Sequence, residues 1–227
     1  KQKRLNWHLA LGLGQENYKF HDHEKLAHYA NAAADIEFKF PFGFKELEGI
    51  HSRTDFDLSA HEKFSGRKLQ YFDPERNENY VPYVVETSIG LDRMFLALFS
   101  NCLKDEVLED GSERTVLSLP PALAPVKAAI LPLVKKDGLP EFAEKIFNDL
   151  KYDFNVISEE KDSIGKRYRR QDAIGTPFCI TVDHDSLTDN TVTLRERDTM
   201  KQERVKVEDL RRIIDEKVNF RTLLSKI

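Results

Sequence analysis

Cysteine is scarce in this sequence: the chain of 227 residues contains only Cys102 and Cys179, far apart and both in apolar stretches. This scarcity argues against a disulfide framework and against a thiolate zinc site, and it is typical of a reducing compartment. Long apolar runs are also absent, since none approaches the roughly 18 residues that a membrane-spanning helix needs. The sequence therefore predicts a cytoplasmic protein with no membrane partner.

The usual motifs for phosphate binding and nucleophilic catalysis are missing as well. No GxxxxGK[ST] loop occurs, which argues against a P-loop enzyme. His51 and His61 have no paired Ser or Cys nucleophile in view, and we interpret both as structural. The net charge is −4 at pH 7, so nucleic-acid binding would have to come from local basic patches. The composition, 40% hydrophobic and 33% charged, is that of a globular protein.

Hydrophobic spacing predicts the elements of the first half of the chain. Alternation of Ile36, Phe38 and Phe40 with polar residues is typical of a half-buried strand. Strands are expected near residues 35–42, 44–50 and 80–88, and helices near 1–14, 23–33, 58–64 and 91–103. In the last helix the apolar spacing predicts packing against a sheet through Leu91, Phe95, Leu98 and Phe99.

Two helix caps are predicted in this half. The run HDHE at residues 21–24 resembles a metal cluster, but a turn before a helix, capped by Asp22 or His23, is the preferred interpretation. Asp57 is likewise interpreted as the cap of the short helix that follows it.

The composition changes after residue 103. A charged, turn-rich stretch at 104–114 leads into LSLPPALAP, which has three prolines in nine residues. We place the domain boundary here, with domains at 1–118 and 119–227. Beyond it strands alternate with helices, and two strands joined by a tight turn precede a final helix, which predicts a mixed sheet. The expected fold class is α/β, or α+β overall: an antiparallel-sheet domain followed by a mixed-sheet α/β domain.

Charged side chains mark the strands of the first domain. Alternation places Glu46 and Glu48 on one strand face, and Glu86 and Ser88 on a face of the 80–88 strand. A carboxylate costs too much to bury in an apolar strand without a partner. A ligand that carries both an ammonium and an anion would supply partners. The carboxylates would bind its ammonium, and the arginines just past the strands, Arg53 and Arg93, would bind its anion. The alternative, equally open from the pattern, is that these faces are simply solvated.

Two basic clusters mark the second domain. The first, GKRYRRQD, surrounds Tyr168, and the second lies in LRERDTMKQERVK. Such residues with a nearby aromatic ring are suited to phosphates and an unpaired base, although a charge run is also typical of a solvated face. The candidate RNA-binding residues are Lys166, Arg167, Arg169, Arg170, Arg195, Arg197, Lys201 and Arg204.

Several long motifs resemble one enzyme family. The run ETSIGLDR followed by MFLALF resembles the third motif of class II aminoacyl-tRNA synthetases, a strand leading into a helix. The runs ELEGIHSRTDFDLSAH and VPYVVETS are similar to glycyl-tRNA synthetases of the dimeric type. The second domain, through IGKRYRRQDAIGTPFCITVD and TVTLRERDTM, is similar to the anticodon-binding domain of that family. The resemblance covers essentially the whole chain.

The resemblance implies a role for each candidate in the first domain. Glu86 and Ser88 correspond to residues that hold the glycine ammonium, and Arg53 to one that meets the glycine carboxylate. Arg93 corresponds to the arginine on the ATP phosphates. Glu46 corresponds to an acidic catalytic residue near ATP-bound Mg²⁺. A place for Glu48 in the glycine site rests mainly on the strand face that it is expected to share with Glu46.

The activity implied is that of a glycine–tRNA ligase, with ATP and Mg²⁺ as cofactors and glycine and tRNA(Gly) as partners. The first and second class II motifs of the family do not occur, and the chain does not begin with Met. We therefore expect the carboxyl-terminal part of a homodimeric enzyme, inactive or nearly so by itself. The alternatives are a non-catalytic paralogue that binds nucleic acid or a polymerase and, less favoured, another synthetase of the subclass. Retention of the charged site residues favours the enzyme.

Overall fold

A computed structural model describes residues 1–225, which form two compact units. The first unit combines residues 1–9 with 13–100, and the second combines 10–12 with the chain from residue 101 onward. The stretch from 101 to 118 thus groups with the second unit, while the division into domains at residue 118 stays a prediction. Among the described residues, no helix has the length and apolar character to cross a bilayer.

The first unit is built on an antiparallel sheet of four strands. Its elements in chain order are α1 (Gln2–Ala10), β1 (Tyr18–Asp22), β2 (Ala32–Phe40), β3 (Gly43–Ser52), α2 (Phe56–Ser65), β4 (Tyr71–Asp73), β5 (Glu78–Tyr80), β6 (Val85–Ile89) and α3 (Leu91–Cys102). The sheet has the order β1-β2-β3-β6, and β4 pairs with β5 in a separate hairpin. The predicted alternation in β2 is confirmed, because Ile36, Phe38 and Phe40 are buried.

A β-bulge in β3 changes which side chains share a face. Ile36 pairs with Glu48, but its neighbour Glu37 pairs with Glu46, so Leu47 is the extra residue in β3. Neighbouring residues of β2 point to opposite faces of the sheet. Glu46 and Glu48 therefore lie on opposite faces, and the prediction that they share one is wrong.

Glu48 is buried beneath α1. Arg4 donates to its carboxylate from Nε at 2.5 Å and from Nη2 at 3.1 Å, and His8 Nε2 lies 2.7 Å from Oε2. Burial raises the pKa of Glu48, but the hydrogen bonds with His8 and Arg4 outweigh that effect and leave its pKa below the ordinary 4.5. The buried carboxylate thus stays ionised and ties α1 to the sheet.

Glu48→Gln is expected to lower the free energy of unfolding of the first unit by about 2 kcal/mol at pH 7, since hydrogen bonds to charged groups are worth about 1.5–3 kcal/mol. The folded pKa of Glu48 is depressed, so its stabilisation is present above pH 4.5 and is lost as the pH falls through that folded pKa. The variant should lose less stability in acid than the parent chain.

Trp7 fluorescence measures this transition, because its ring lies 5.1 Å from that of His8 and the chain has one tryptophan. Glu75→Gln is the matched control, since Glu75 is exposed. An identical loss of stability in acid for Glu48→Gln and Glu75→Gln would contradict the expected role of Glu48.

Two predictions for residues 21–33 are wrong. No helix covers residues 23–33: the alanines that favoured it enter β2, where Ala32 pairs with Ser52, and sheet pairing overrides their helix propensity. Consequently the HDHE run caps no helix, and its His23 Nε2 contacts Asp35 Oδ2 at 2.8 Å.

The buried face of α3 also differs from the prediction. The helix buries Met94 and Ala97, whereas Leu91 is 82% exposed and Phe95 is 65% exposed. Apolar residues lie on several sides of this helix, so their spacing could not select the side that packs.

The second unit is built on a mixed sheet. Its elements in chain order are β7 (Leu103–Val107), β8 (Glu113–Leu117), β9 (Ala128–Pro132), α4 (Leu139–Leu150), β10 (Val156–Ser158), α5 (Ile164–Ile174), β11 (Phe178–Val182), α6 (His184–Asp189), β12 (Thr191–Glu196), β13 (Gln202–Lys206), α7 (Leu210–Val218) and α8 (Phe220–Leu224). The sheet has the order β10-β9-β11-β12-β13. Strand β9 runs parallel to both neighbours, and the other pairs are antiparallel. The predicted α/β class with an antiparallel and a mixed sheet is confirmed.

The two faces of this sheet are covered unequally. On one face, residues of α4 and α7 join the larger apolar core with Ile130, Ile180 and Leu194. On the other face, Ile164 and Tyr168 of α5 pack against a smaller cluster of Ala129, Leu131 and Cys179. That smaller cluster contains no residue of β12 or β13.

The charged, turn-rich stretch at 104–114 forms a hairpin. Strands β7 and β8 pair antiparallel, with Leu103 opposite Leu117. The Asp110-Gly111 pair between the two strands is a common hairpin turn signal.

Candidate functional site

One face of the first unit's sheet carries three of the predicted site residues. Glu86 lies opposite His51, and Ser88 lies opposite Gly49, so Glu86 and Ser88 share a face. Glu46 lies on the same face, because its partner in β2 is Glu37, and Glu37 is two residues from Asp35, the partner of Gly49. We call this the polar face. Glu48 lies on the reverse, beneath α1, so the shared face on which its predicted glycine role depended does not exist.

The His51 ring packs over Gly49 on the polar face. A Cβ built on Gly49 would lie 2.9 Å from His51 Cε1, too close for any side chain without movement of the His51 ring. Gly49, which lies directly opposite Ser88, is therefore covered by the His51 ring.

Arg53 is held in one orientation at the end of β3. Its Nε and Nη2 donate to Asp57 Oδ2 and Oδ1 at 2.6 and 3.0 Å, and its Nη1 donates to Glu86 Oε2 at 2.7 Å. The guanidinium carbon also lies 4.1 Å from the ring centre of Tyr29. The hydrogen bond to Asp57, reinforced by Glu86 and opposed by burial, raises the pKa of Arg53. Arg53 is therefore a fixed, permanently charged donor.

The prediction that Asp57 caps α2 is wrong. The residue before α2 is Asp55, and Asp57 makes no cap hydrogen bond but pairs with Arg53 four residues earlier. That hydrogen bond to Arg53 lowers the pKa of Asp57. The i, i+4 spacing of an arginine and an aspartate was the signal that could have identified the pair.

Arg93 and Glu46 meet at the start of α3. Arg93 Nη1 donates to the backbone oxygen of Glu46 at 2.7 Å and lies 3.5 Å from its Oε2. Both side chains are about half exposed. With Ser88 and Gly90 they line a shallow depression of about 330 Å³. The structure thus brings Glu46, Ser88 and Arg93 around one depression and joins Arg53 to Glu86 on the same face.

Three of the basic residues predicted to contact RNA are buried in the second unit. Arg167 is 2% exposed and donates to the backbone oxygens of Pro132 and Leu133 at 2.7 and 3.2 Å. Arg197 is 1% exposed and donates to those of Gly175 and Leu119, each at 2.7 Å. Their donors are used inside the unit, which does not fit the predicted RNA contact.

Arg195 is the third buried arginine. Its Nη1 and Nη2 donate to Asp172 Oδ1 and Oδ2 at 2.7 and 2.9 Å, and Arg114 Nη1 donates to the same carboxylate at 3.2 Å. All three side chains are almost fully buried. Consecutive basic residues of a helix face different directions, so a basic run such as that of α5 mixes buried and accessible cations.

The remaining basic candidates reach the surface. Arg170 pairs with Glu159 and Asp162, and Arg204 pairs with Asp183 and Asp189. Within residues 1–225, three of these surface candidates form no ion pair: Lys166, Arg169 and Lys201.

Comparison with known proteins gives a family match within the second unit. Residues 127–217 match the family described as "Anticodon binding domain". The glycine–tRNA ligase of Chlorobaculum tepidum is 54% identical over 206 residues, which are 90% of this chain and 44% of the relative. That of Macrococcus caseolyticus is 54% identical over 222 residues, 97% of this chain and 48% of the relative. This chain is similar to part of a glycine–tRNA ligase.

The resemblance to glycine–tRNA ligase that the motifs indicated is thus confirmed. The chain spans a little under half the length of these curated ligases. A solved structure, the RNA binding domain of threonyl-tRNA synthetase from Cryptosporidium parvum, matches 84% of this chain and 44% of its own with a TM-score of 0.62. At 20% identity, that match supports the fold.

Proposed function

We propose that this chain is part of an ATP-dependent glycine–tRNA ligase, which forms glycyl-adenylate and transfers glycine to tRNA(Gly). The chain supplies the third class II motif, part of the glycine site and the anticodon-binding domain. Its substrates are glycine, ATP and tRNA(Gly), and Mg²⁺ accompanies the ATP. The longer protein acts as a cytoplasmic homodimer.

The contact between Arg53 and Glu86 carries this proposal. A guanidinium has five N–H groups, and Asp57 and Glu86 use three of those of Arg53, which leaves two for a substrate carboxylate. Within residues 1–225, Glu86 Oε1 accepts no hydrogen bond and remains for an ammonium. Because the two side chains touch at 2.7 Å, the sites for the two charges are adjacent, as they are in an α-amino acid.

The proposed first reaction step gives each of these residues a role. A carboxylate oxygen of glycine attacks the α-phosphorus of ATP, a new P–O bond forms, and pyrophosphate leaves. Arg53 holds the carboxylate, Glu86 and Ser88 hold the ammonium, and Arg93 offsets the phosphate charge. The attacking carboxylate is already ionised, so no side chain has to remove a proton. In the second step the terminal ribose hydroxyl of the tRNA attacks the adenylate carbonyl and releases AMP.

Glu46 suits an ion that is shared with ATP. Within the described part of the chain, no group of three or more His, Cys, Asp and Glu could hold a metal ion. Mg²⁺ is usually held by one or two carboxylates together with substrate phosphates and water. Glu46, half exposed beside Arg93, is the carboxylate for this role. Bound there, Mg²⁺ would neutralise phosphate charge.

Amino-acid-dependent ATP–pyrophosphate exchange tests the proposed function. We expect the longer protein that contains this chain to exchange with glycine and with none of the other amino acids, because the relatives that this chain resembles over 90% or more of its length are glycine–tRNA ligases. This chain alone should exchange at a rate near background. Exchange by the folded longer protein with no amino acid would overturn the proposal and favour a non-catalytic paralogue that binds nucleic acid or a polymerase.

A further inference from the structure

Thr54, the residue directly after Arg53, has a left-handed backbone with a φ of 56°. Among the described residues it is the one β-branched residue with such a φ. This conformation crowds a β-branched side chain against the backbone and therefore costs free energy. Strain of this kind persists only where surrounding contacts compensate for it, and it is concentrated at functional sites.

The backbone around Thr54 joins the end of β3 to the start of β6. The N–H of Arg53 donates to the backbone oxygen of Val84 at 2.9 Å, and the N–H of Val84 donates to that of Thr54 at 2.9 Å. Two consecutive residues thus face a single one, which is the pattern of a β-bulge, a device that re-aims a side chain. Val84 is two residues before Glu86, so this pairing fixes Arg53 beside the strand that carries its partner.

The left-handed residue also turns the chain from β3 into α2. Asp57 lies in the first turn of α2, three residues after Thr54. Its carboxylate accepts hydrogen bonds from Arg53 at 2.6 and 3.0 Å. In an extended chain the Cα atoms of residues 53 and 57 would lie about 13 Å apart. The contact between Arg53 and Asp57 therefore depends on this turn.

The hydroxyl of Thr54 reaches a third segment, the turn that carries Tyr29. Thr54 Oγ1 lies 2.6 Å from the backbone oxygen of Arg53 and 3.3 Å from that of Tyr29. The N–H of Asn31 donates to the backbone oxygen of Ser52 at 3.0 Å, so the turn is attached on both sides of Arg53. The Tyr29 ring in turn lies 4.1 Å from the guanidinium carbon.

We propose that Thr54 is a positioning residue of the glycine site. It joins the three segments that hold the Arg53 guanidinium: the turn with Tyr29, the first turn of α2 with Asp57, and the start of β6. Thr54 acts through Arg53 and not on the substrate itself. The inference rests on the proposed function, since the carboxylate that Arg53 orients is that of glycine.

The orientation of Arg53 is measured on this chain by NMR, without a substrate. The Arg53 Nε–H donates to Asp57, so its signal, assigned by its absence from Arg53→Lys, should be protected from exchange with water. Thr54→Val removes the hydroxyl and keeps the branched shape, whereas Thr54→Gly removes both the hydroxyl and the strain. Each should reduce this protection by about tenfold or more. Thr54→Ser keeps the hydroxyl and should retain the protection.

Glycine kinetics test the same variants in the proposed longer ligase. Thr54→Val and Thr54→Gly should raise KM for glycine in ATP–pyrophosphate exchange by about tenfold and leave KM for ATP unchanged, because only the glycine carboxylate is misplaced. Thr54→Ser should have a KM near that of the parent. Thr115→Val makes the same change at an exposed position and should alter neither the kinetics nor the Arg53 signal.

Thermal unfolding separates positioning from a purely structural role. Glycine adopts the left-handed conformation freely, so the Tm of Thr54→Gly should be at least that of Thr54→Val. Its KM for glycine should nevertheless be as high. A KM and an Nε–H protection that follow Tm across the variants would make Thr54 a structural residue and overturn its positioning role.

Two further outcomes separate this inference from the proposed function. If the parent exchanges with glycine but Thr54→Val and Thr54→Gly keep its KM, Thr54 has no role in the glycine site, and the ligase assignment stands. If the folded parent exchanges with no amino acid, the proposed function fails and the glycine role of Thr54 fails with it. The Nε–H measurement in that case still reports whether Thr54 fixes Arg53.

Discussion

Asp172→Ala is expected to lower the free energy of unfolding of the second unit by about 3–5 kcal/mol, the usual cost of breaking a buried ion pair. The Asp172 side chain is fully buried and accepts hydrogen bonds from Arg195 and Arg114. Its removal leaves two buried guanidinium groups without this carboxylate. The loss in free energy of unfolding of this unit is measured by denaturant unfolding of the whole chain, with hydrogen exchange of the β11 amides as the probe.

A double variant shows whether the uncompensated charge is the cause. Asp172→Ala with Arg195→Met should recover part of the loss, because the buried cation is removed together with its partner. Asp149→Ala is the surface control: Asp149 is 67% exposed and pairs with Arg211, and exposed pairs contribute little. Equal losses in free energy of unfolding for Asp172→Ala and Asp149→Ala would mean that burial of the Asp172 ion pairs does not contribute to stability.

Arg53→Lys in the proposed longer ligase is expected to reduce kcat/KM for glycine in ATP–pyrophosphate exchange by about 10²–10³-fold, the usual cost of removing one positioned donor. An ammonium cannot reproduce the planar fork that Arg53 uses towards Asp57 while it also reaches Glu86. The Tyr29 ring, 4.1 Å from the guanidinium carbon, would lose its partner as well. KM for glycine should rise, and KM for ATP should change little.

Two further variants make this prediction specific. Glu86→Gln keeps the shape of the side chain but removes the charge proposed for the ammonium, so it should raise KM for glycine in the same way. Arg76→Lys is the control, because Arg76 is 74% exposed and its closest acidic contacts are 3.8 Å away. Unchanged glycine kinetics for Arg53→Lys would exclude Arg53 from the glycine site.

Local patterns predicted most of the second unit. The predicted alternation of strands with helices is found from β9 to β11, and the predicted pair of strands, β12 and β13, precedes helix α7. Short apolar runs and the period of 3.6 residues indicate such elements locally. The apolar pattern gave a wrong prediction where two different structures were consistent with it. In α3 the apolar residues surround the helix, and at residues 32–33 alanine suits a helix locally while the sheet required a strand.

The candidate site was predicted in its residue types but not in its geometry. The sequence placed Glu86 and Ser88 on one face correctly, since no irregularity interrupts β6. It misassigned Glu48 because the bulge at Leu47 depends on how β3 pairs with β2. Arg167, Arg195 and Arg197 were predicted to be accessible cations, but they are buried. Charge alone does not indicate burial when the carbonyls and carboxylates that bind an arginine lie far from it in the sequence.

The sequence by itself determined the two sheet types, the basic and acidic residues available for chemistry and the resemblance to glycine–tRNA ligases. These follow from local periodicity and from residue identity, which need no knowledge of distant contacts. Only the tertiary structure decided that Glu48 bonds Arg4, that Arg53 is held between Asp57 and Glu86, and that Thr54 contacts the turn with Tyr29. The physical reason is that strand register, burial and ion pairing join residues far apart in the chain, and each depends on the packing of the whole unit.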